Sequence, residues 1–229
     1  MAEYSYVDVI TALPHLRDPF HSDQTPISRL QLTKRLSSLD HDDRQKLNSI
    51  AKLLYWGQLD IETRDADLIR TAQQLKMNFS GMDFLPQIEW RMDLRFVVAC
   101  LRYRHEGRSA DELDKFSRYS IYAHMVRKQW GKNDFGLSGK FPWVVTAKQM
   151  LEDEDAFGLE RLLMQTVWKY YDAAWHNHQY DFNAILLYTL RWDLVDRWTS
   201  YSHPAAQRRF EKLLQEGIAQ AKDRMDIEI

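Results

Sequence analysis

His176, His178 and Asp181 are the residues of this 229-residue chain whose types come nearest to a metal-ligand set. Two imidazoles separated by one residue face the same ion only where the backbone is extended. The plainer alternative puts both histidines at the end of a helix, where ring nitrogens meet the last carbonyls and positive charge suits the dipole. That alternative is preferred, and the trio stands as a minor metal candidate. Gly136-Leu137-Ser138-Gly139-Lys140 has the residue types of a phosphate-binding loop. The Gly-x4-Gly-Lys-Ser/Thr spacing is absent, however, and the preceding run reads as helix where such a loop needs a buried strand. Cys100 falls on the apolar face of a helix, where a thiol behaves as a small buried hydrophobe. The sequence has no nucleophile-elbow serine, no His-Glu-x-x-His and no paired-carboxylate motif. Hydrolase chemistry therefore has no residue to rest on; no cofactor and no catalytic residue are expected, and the residues alone name no reaction.

A second kind of chemistry is charge carried on an apolar helix. Between Phe182 and Trp198, Ile185, Tyr188, Trp192 and Val195 share one helical face while Leu187, Leu190, Leu194 and Trp198 share another. Such a helix is mostly enclosed. Asp193 and Arg197 stand four residues apart on it, the spacing at which opposite charges meet, with Arg191 and Asp196 close by. Enclosed charges must be paired, so these four are read as structural charge pairs, Asp193 with Arg197 first. Phe135, Leu137, Phe141 and Trp143 lie in or beside the glycine-rich loop. Apolar groups there either tuck back onto the body, the commoner outcome, or wait for a partner; they are the partner-binding candidates.

The elements that must position these residues read as helices. Leucine (27) outnumbers valine plus isoleucine (20), and glycine (8) and proline (6) are sparse, a composition that favours an all-α fold. Helix starts are expected at Pro26, at Asp40 with Asp43 three residues on, and from Thr63. Leu47, Ile50, Ala51 and Leu54 mark the core face of the second, and Leu68, Ile69, Ala72 and Leu75 that of the third. Gln87–Glu106 forms a long pattern closed by Gly107 at the C′ position, with Arg102, Arg104 and His105 in its last turn. Ser109–Ser117 reads as an exposed connection, followed by a short helix over Tyr119–Trp130 and an irregular stretch from Gly131 to Lys140. Asp155 opens another helix, and a last one begins near Ser202 and Pro204 with Phe210, Leu213, Leu214 and Ala221 as its stripe. Tyr4–Leu13 suits strand or helix; with no second strand to pair with, it is read as helix. The expectation is a multi-helix bundle of two helical lobes, 1–108 and 118–229, joined by 109–117.

Thirty-one Lys and Arg against 33 Asp and Glu leave a net charge of −2, so no basic field argues for nucleic acid or an anionic membrane. The single cysteine excludes an internal disulfide framework. No apolar run approaches the roughly 18 residues of a spanning helix, and the start Met1-Ala2-Glu3-Tyr4 lacks a basic leader. A soluble, unprocessed, cytoplasmic chain is expected.

Glu89–Leu113 and Ala184–Tyr201 each carry acidic and basic residues on an otherwise apolar helix that ends in a basic or aromatic run. They resemble the repeated helices of the V-type ATPase C subunit, whose eukaryotic counterpart is the d subunit, and Tyr4-Ser5-Tyr6 resembles its opening. Through Pro26–Leu30, Asp134–Leu137, Phe141-Pro142-Trp143 and Phe182–Asp193, the chain resembles an uncharacterised bacterial family that accompanies V-type ATPase genes and stands in for that component. The asparagine of the repeated helices is absent here, with Phe96 and Asp196 in that vicinity, and the chain is about one lobe shorter than the standard three-lobed form. The resemblance implies two lobes of that helical type forming a non-catalytic central-stalk socket, peripheral to the inner membrane through its partners, the shaft subunits and the membrane rotor ring. The competing readings from the residues are a generic helical adaptor and, behind it, a metal-dependent enzyme using His176, His178 and Asp181.

Overall fold

The computed structural model describes residues 2–56, 65–79, 81–115 and 120–201, and among them every regular element is helical. The ambiguous N-terminal segment is helix α1 (Ala2–Ala12). A single 3-10 turn follows at Pro19–His21, capped by Asp18, whose carboxylate accepts the Phe20 N–H at 2.8 Å. Helix α2 (Arg29–Leu36) starts three residues later than Pro26 suggests. Ser28 and Gln31 each bond the other's backbone N–H, and this capping box satisfies two donors that a proline start leaves open. Asp40 caps α3 (His41–Leu54) by accepting the Asp43 N–H at 2.8 Å, as its spacing predicts, and Leu47, Ile50, Ala51 and Leu54 are buried. In α4 (Asp65–Asn78) Ala72 and Leu75 face the core, while the expected start at Thr63 lies outside the described residues.

Helix α5 (Leu85–His105) ends as its sequence indicates. Gly107, at φ +74°, turns the chain left-handed, and the Arg108 N–H returns to the Tyr103 carbonyl at 3.0 Å. The connection that follows is not simply exposed chain: Ala110–Lys115 is a 3-10 helix that leaves Asp111 and Glu112 in solvent and buries Leu113 completely. Helix α6 (Ala123–Lys128) is shorter than Tyr119–Trp130, and Gly131–Lys140 is a series of turns. Helix α7 (Val144–Glu152) has no counterpart among the expected elements. Its two buried residues, Val144 and Ala147, make too short a stripe for periodicity to register. Asp155 caps α8 (Ala156–Trp175) through the Gly158 N–H, and α9 (Phe182–Tyr201) is enclosed, every residue from Asn183 to Val195 being buried. The helix expected from Ser202 lies outside the described residues.

α9 packs on α8, α1, α3 and the Pro19–His21 turn, while α5 packs on α3, α4 and α7. The buried apolar side chains form one cluster from Val9 to Val195 that draws on both sides of the 109–117 connection. No helix among the described residues is long and apolar enough to cross a membrane.

Candidate functional site

Enclosing α9 forces its charges to find partners, and all four find them on other elements. Asp193, 5% exposed, accepts the Trp56 backbone N–H at 2.7 Å and lies 3.9 Å from the Arg29 guanidinium on α2. The same Arg29 nitrogen is 2.7 Å from Asp196. Arg197 pairs with Glu160 on α8 at 3.3 Å, and Arg191 with Asp172 on α8 at 2.6 Å. The expected Asp193–Arg197 pair is therefore corrected. Trp56 is the second residue past α3, where the helix no longer supplies an acceptor for its N–H, and a buried carboxylate takes that fixed donor; Arg197, one turn on, reaches α8.

Trp56 is where these links meet. Its backbone N–H goes to Asp193, its indole N–H to Glu160 at 3.2 Å, and its ring lies 4.6 Å from the Arg91 guanidinium. Burial lowers the Arg91 pKa against the attraction of Asp193. Burial likewise pushes the Asp193 carboxyl up to about 6, with Asp196 adding to the shift and the Trp56 N–H, Arg29 and Arg91 opposing it. For Arg29, the hydrogen bond to Asp196 and the attraction of both carboxylates outweigh its burial and raise its pKa.

Beside this belt opens a cleft of about 490 Å³. Trp56 and the apolar Met150, Leu151, Leu159 and Leu163 line it together with Arg102 and His105 from the end of α5, Glu154 and Asp155 from the α7–α8 turn, and Glu160. The turn is held by the Asp155 N–H bonding the Met150 carbonyl at 2.8 Å and the Glu154 N–H bonding that of Leu151 at 3.2 Å, which places Glu154 at φ +56°. A second hollow of about 200 Å³ shares His105 and Leu151 and continues past Arg104, Lys148 and Glu152. Arg104 itself is committed to the chain, lying 4.1 Å from the Phe135 ring and donating to the carbonyls of Trp130, Lys132 and Asn133.

Phe135, Leu137, Phe141 and Trp143 are 0, 1, 3 and 8% exposed, so of the two alternatives these side chains tuck back. Their reading as partner-binding groups is corrected. Phe135 stacks on Trp130 and Phe141 meets Tyr122 edge to face, contacts that the body of the protein already offers. His176 contacts the Asp172 carbonyl at 2.7 Å, the helix-end role; His178 instead meets the Asp181 carboxylate at 2.8 Å, and the other oxygen of Asp181 caps α9 at Ala184. Among the described residues no group of three or more His, Cys, Asp or Glu side chains is placed to hold a metal. Cys100 is wholly buried, and burial pushes its thiol up to about 12, so it stays protonated.

Spacing did not single out Trp56, Glu160, Asp172 or Glu154. The first three act through contacts distant in sequence, and the only local signal for Glu154 is its place two residues past the last turn of α7. Fold and site together define an all-α protein with a cross-braced central helix and an open, charge-rimmed cleft. The chain belongs to the family described as a protein of unknown function (DUF2764), whose model matches residues 4–218. No curated protein and no solved structure matches it.

Proposed function

We propose that this chain is a non-catalytic central-stalk socket of a V-type ATPase, sitting on the cytoplasmic face of the membrane rotor ring and receiving the central shaft. The observation that carries the reading is the bracing of α9. Its four charges reach α2, α8 and the residue beyond the α3 C-cap, so one buried helix locks several neighbours in fixed register. A part that passes torque between two interfaces needs that stiffness and needs no bond making; directional links, two of them anchored on the buried Arg191 and Asp193, resist sliding better than apolar packing alone. The resemblance to the V-type ATPase socket component supports the same reading, since its two segments fall on α5 and α9, and both helices bury charge, Arg91 on one and Arg191 with Asp193 on the other. Attachment at the membrane would run through protein partners.

Purifying the tagged full chain from its own cells after gentle solubilisation tests this. Catalytic and shaft subunits of a V-type ATPase are expected to co-elute in fixed ratio. Recovery of signalling proteins with no ATPase component would favour a general adaptor and overturn the reading.

A further inference from the structure

We infer that the cleft between the end of α5 and the α7–α8 turn is the seat for an amphipathic helix of the partner, an inference that rests on the shaft-socket reading and names its surface. Met150, Leu151, Leu159 and Leu163 give it an apolar lining, and its two sides come from different elements and differ in sign: Arg102 lies at the end of α5, Glu154 and Asp155 in the α7–α8 turn. Arg102 and Glu154 are exposed and have no ion-pair partner among the described residues, so those residues present a positive and a negative charge at the cleft that they leave unpaired. The neighbouring hollow shares His105 and Leu151, so the depression runs on along the α5–α7 seam and suits an elongated occupant better than a compact one.

An occupant complementary to these walls has apolar residues at helical spacing toward Leu151 and Leu159, acidic residues on the flank facing Arg102, and basic residues on the flank facing Glu154. The opposed signs fix its direction as well as its place, because a reversed helix would set like charges together. Glu154 adds a second observation. It stands in a left-handed conformation that glycine adopts freely, yet it places an exposed carboxylate on the cleft, whereas its neighbours Asp153 and Asp155 accept hydrogen bonds from Gln149 and the Gly158 N–H.

The test is isothermal titration of the purified full chain with the purified central-stalk shaft complex of the same organism. Arg102→Glu and Glu154→Lys are compared with Lys34→Glu on α2, an exposed position that lines neither hollow, and circular dichroism checks that each variant is folded. Wild type and Lys34→Glu are expected to bind alike, and each cleft variant to bind at least tenfold more weakly. If wild type binds and both cleft variants match it, the shaft-socket reading stands and the cleft assignment is overturned. If wild type does not bind the shaft, both fall. Binding lost equally in Lys34→Glu would also overturn the cleft assignment, because it would mark a diffuse electrostatic contact.

Discussion

Helices α5 and α7 end in the same hydrogen-bonded motif with different residues at the same position. In both, the second residue past the cap returns its N–H to the third carbonyl from the helix end, Arg108 to Tyr103 and Asp155 to Met150. Between them sits Gly107 at φ +74° in one and Glu154 at φ +56° in the other. Glycine adopts that conformation without a side-chain clash; glutamate gives up on the order of 1 kcal/mol to hold it. The glycine lines neither hollow, whereas the glutamate stands on the wall of the cleft. The same contrast separates α9 from the cleft as a whole: along α9 every charge is matched inside the chain, and at the cleft Arg102 and Glu154 have no ion-pair partner among the described residues.

The largest effects belong to the braced side. Trp192 is wholly buried and its indole N–H bonds the Ile27 carbonyl at 3.0 Å. Trp192→Ala is expected to cost about 3–5 kcal/mol in chemical denaturation. A cost under about 1 kcal/mol would show that α9 is not the structural centre.

Asp193 gives the next largest effect, and it depends on pH. Its carboxyl rises from an ordinary 3.8 to about 6 on folding, so between those values the folded chain holds a proton that the unfolded chain releases. Stability therefore falls as pH rises through that window, by on the order of 3 kcal/mol for a two-unit shift, and the full penalty is present above it. Asp93, raised to about 6 chiefly by burial, leans the same way. Asp193→Asn keeps an acceptor for the Trp56 N–H and removes the charge; stability measured from about pH 4 to 7 should lose roughly half of its downward slope, the remainder belonging to Asp93. An unchanged slope would assign that dependence to Asp93 or elsewhere.

Exchanging the two helix-end residues breaks the comparison directly. Gly107→Glu should lose about 1 kcal/mol and Glu154→Gly should gain about as much. Equal signs for the two would remove the strain argument. The smallest effect is expected at Arg102, whose replacement by Ala should change stability by less than about 0.5 kcal/mol, as for an exposed side chain with no ion pair among the described residues.

Much of the helical framework was legible because its signals are local. Asp40, Asp155 and Gly107 mark their helix ends through side-chain or backbone bonds a few residues long, and the double apolar face of Phe182–Trp198 announces burial without reference to any neighbour. Partner choice was not legible. The i,i+4 spacing of Asp193 and Arg197 is a local rule, and it lost to Trp56 and Glu160, which only the folded chain brings near. The loop aromatics show the same limit from the other side: Phe135 and Leu137 sit among glycines and polar residues in sequence, and only packing such as that of Trp130 on Phe135 makes that stretch core. The cleft was invisible for a related reason, since its walls come from three helix ends that no periodicity connects.

Glu154→Gly offers the most direct measurement, because stability and binding should move in opposite directions in one protein. Its thermal midpoint should rise by about 2–4 °C, the shift expected for about 1 kcal/mol in a chain of this size, while its affinity for the purified shaft complex falls. A higher midpoint with undiminished affinity would contradict the claim that the cleft keeps its strained charge for a partner.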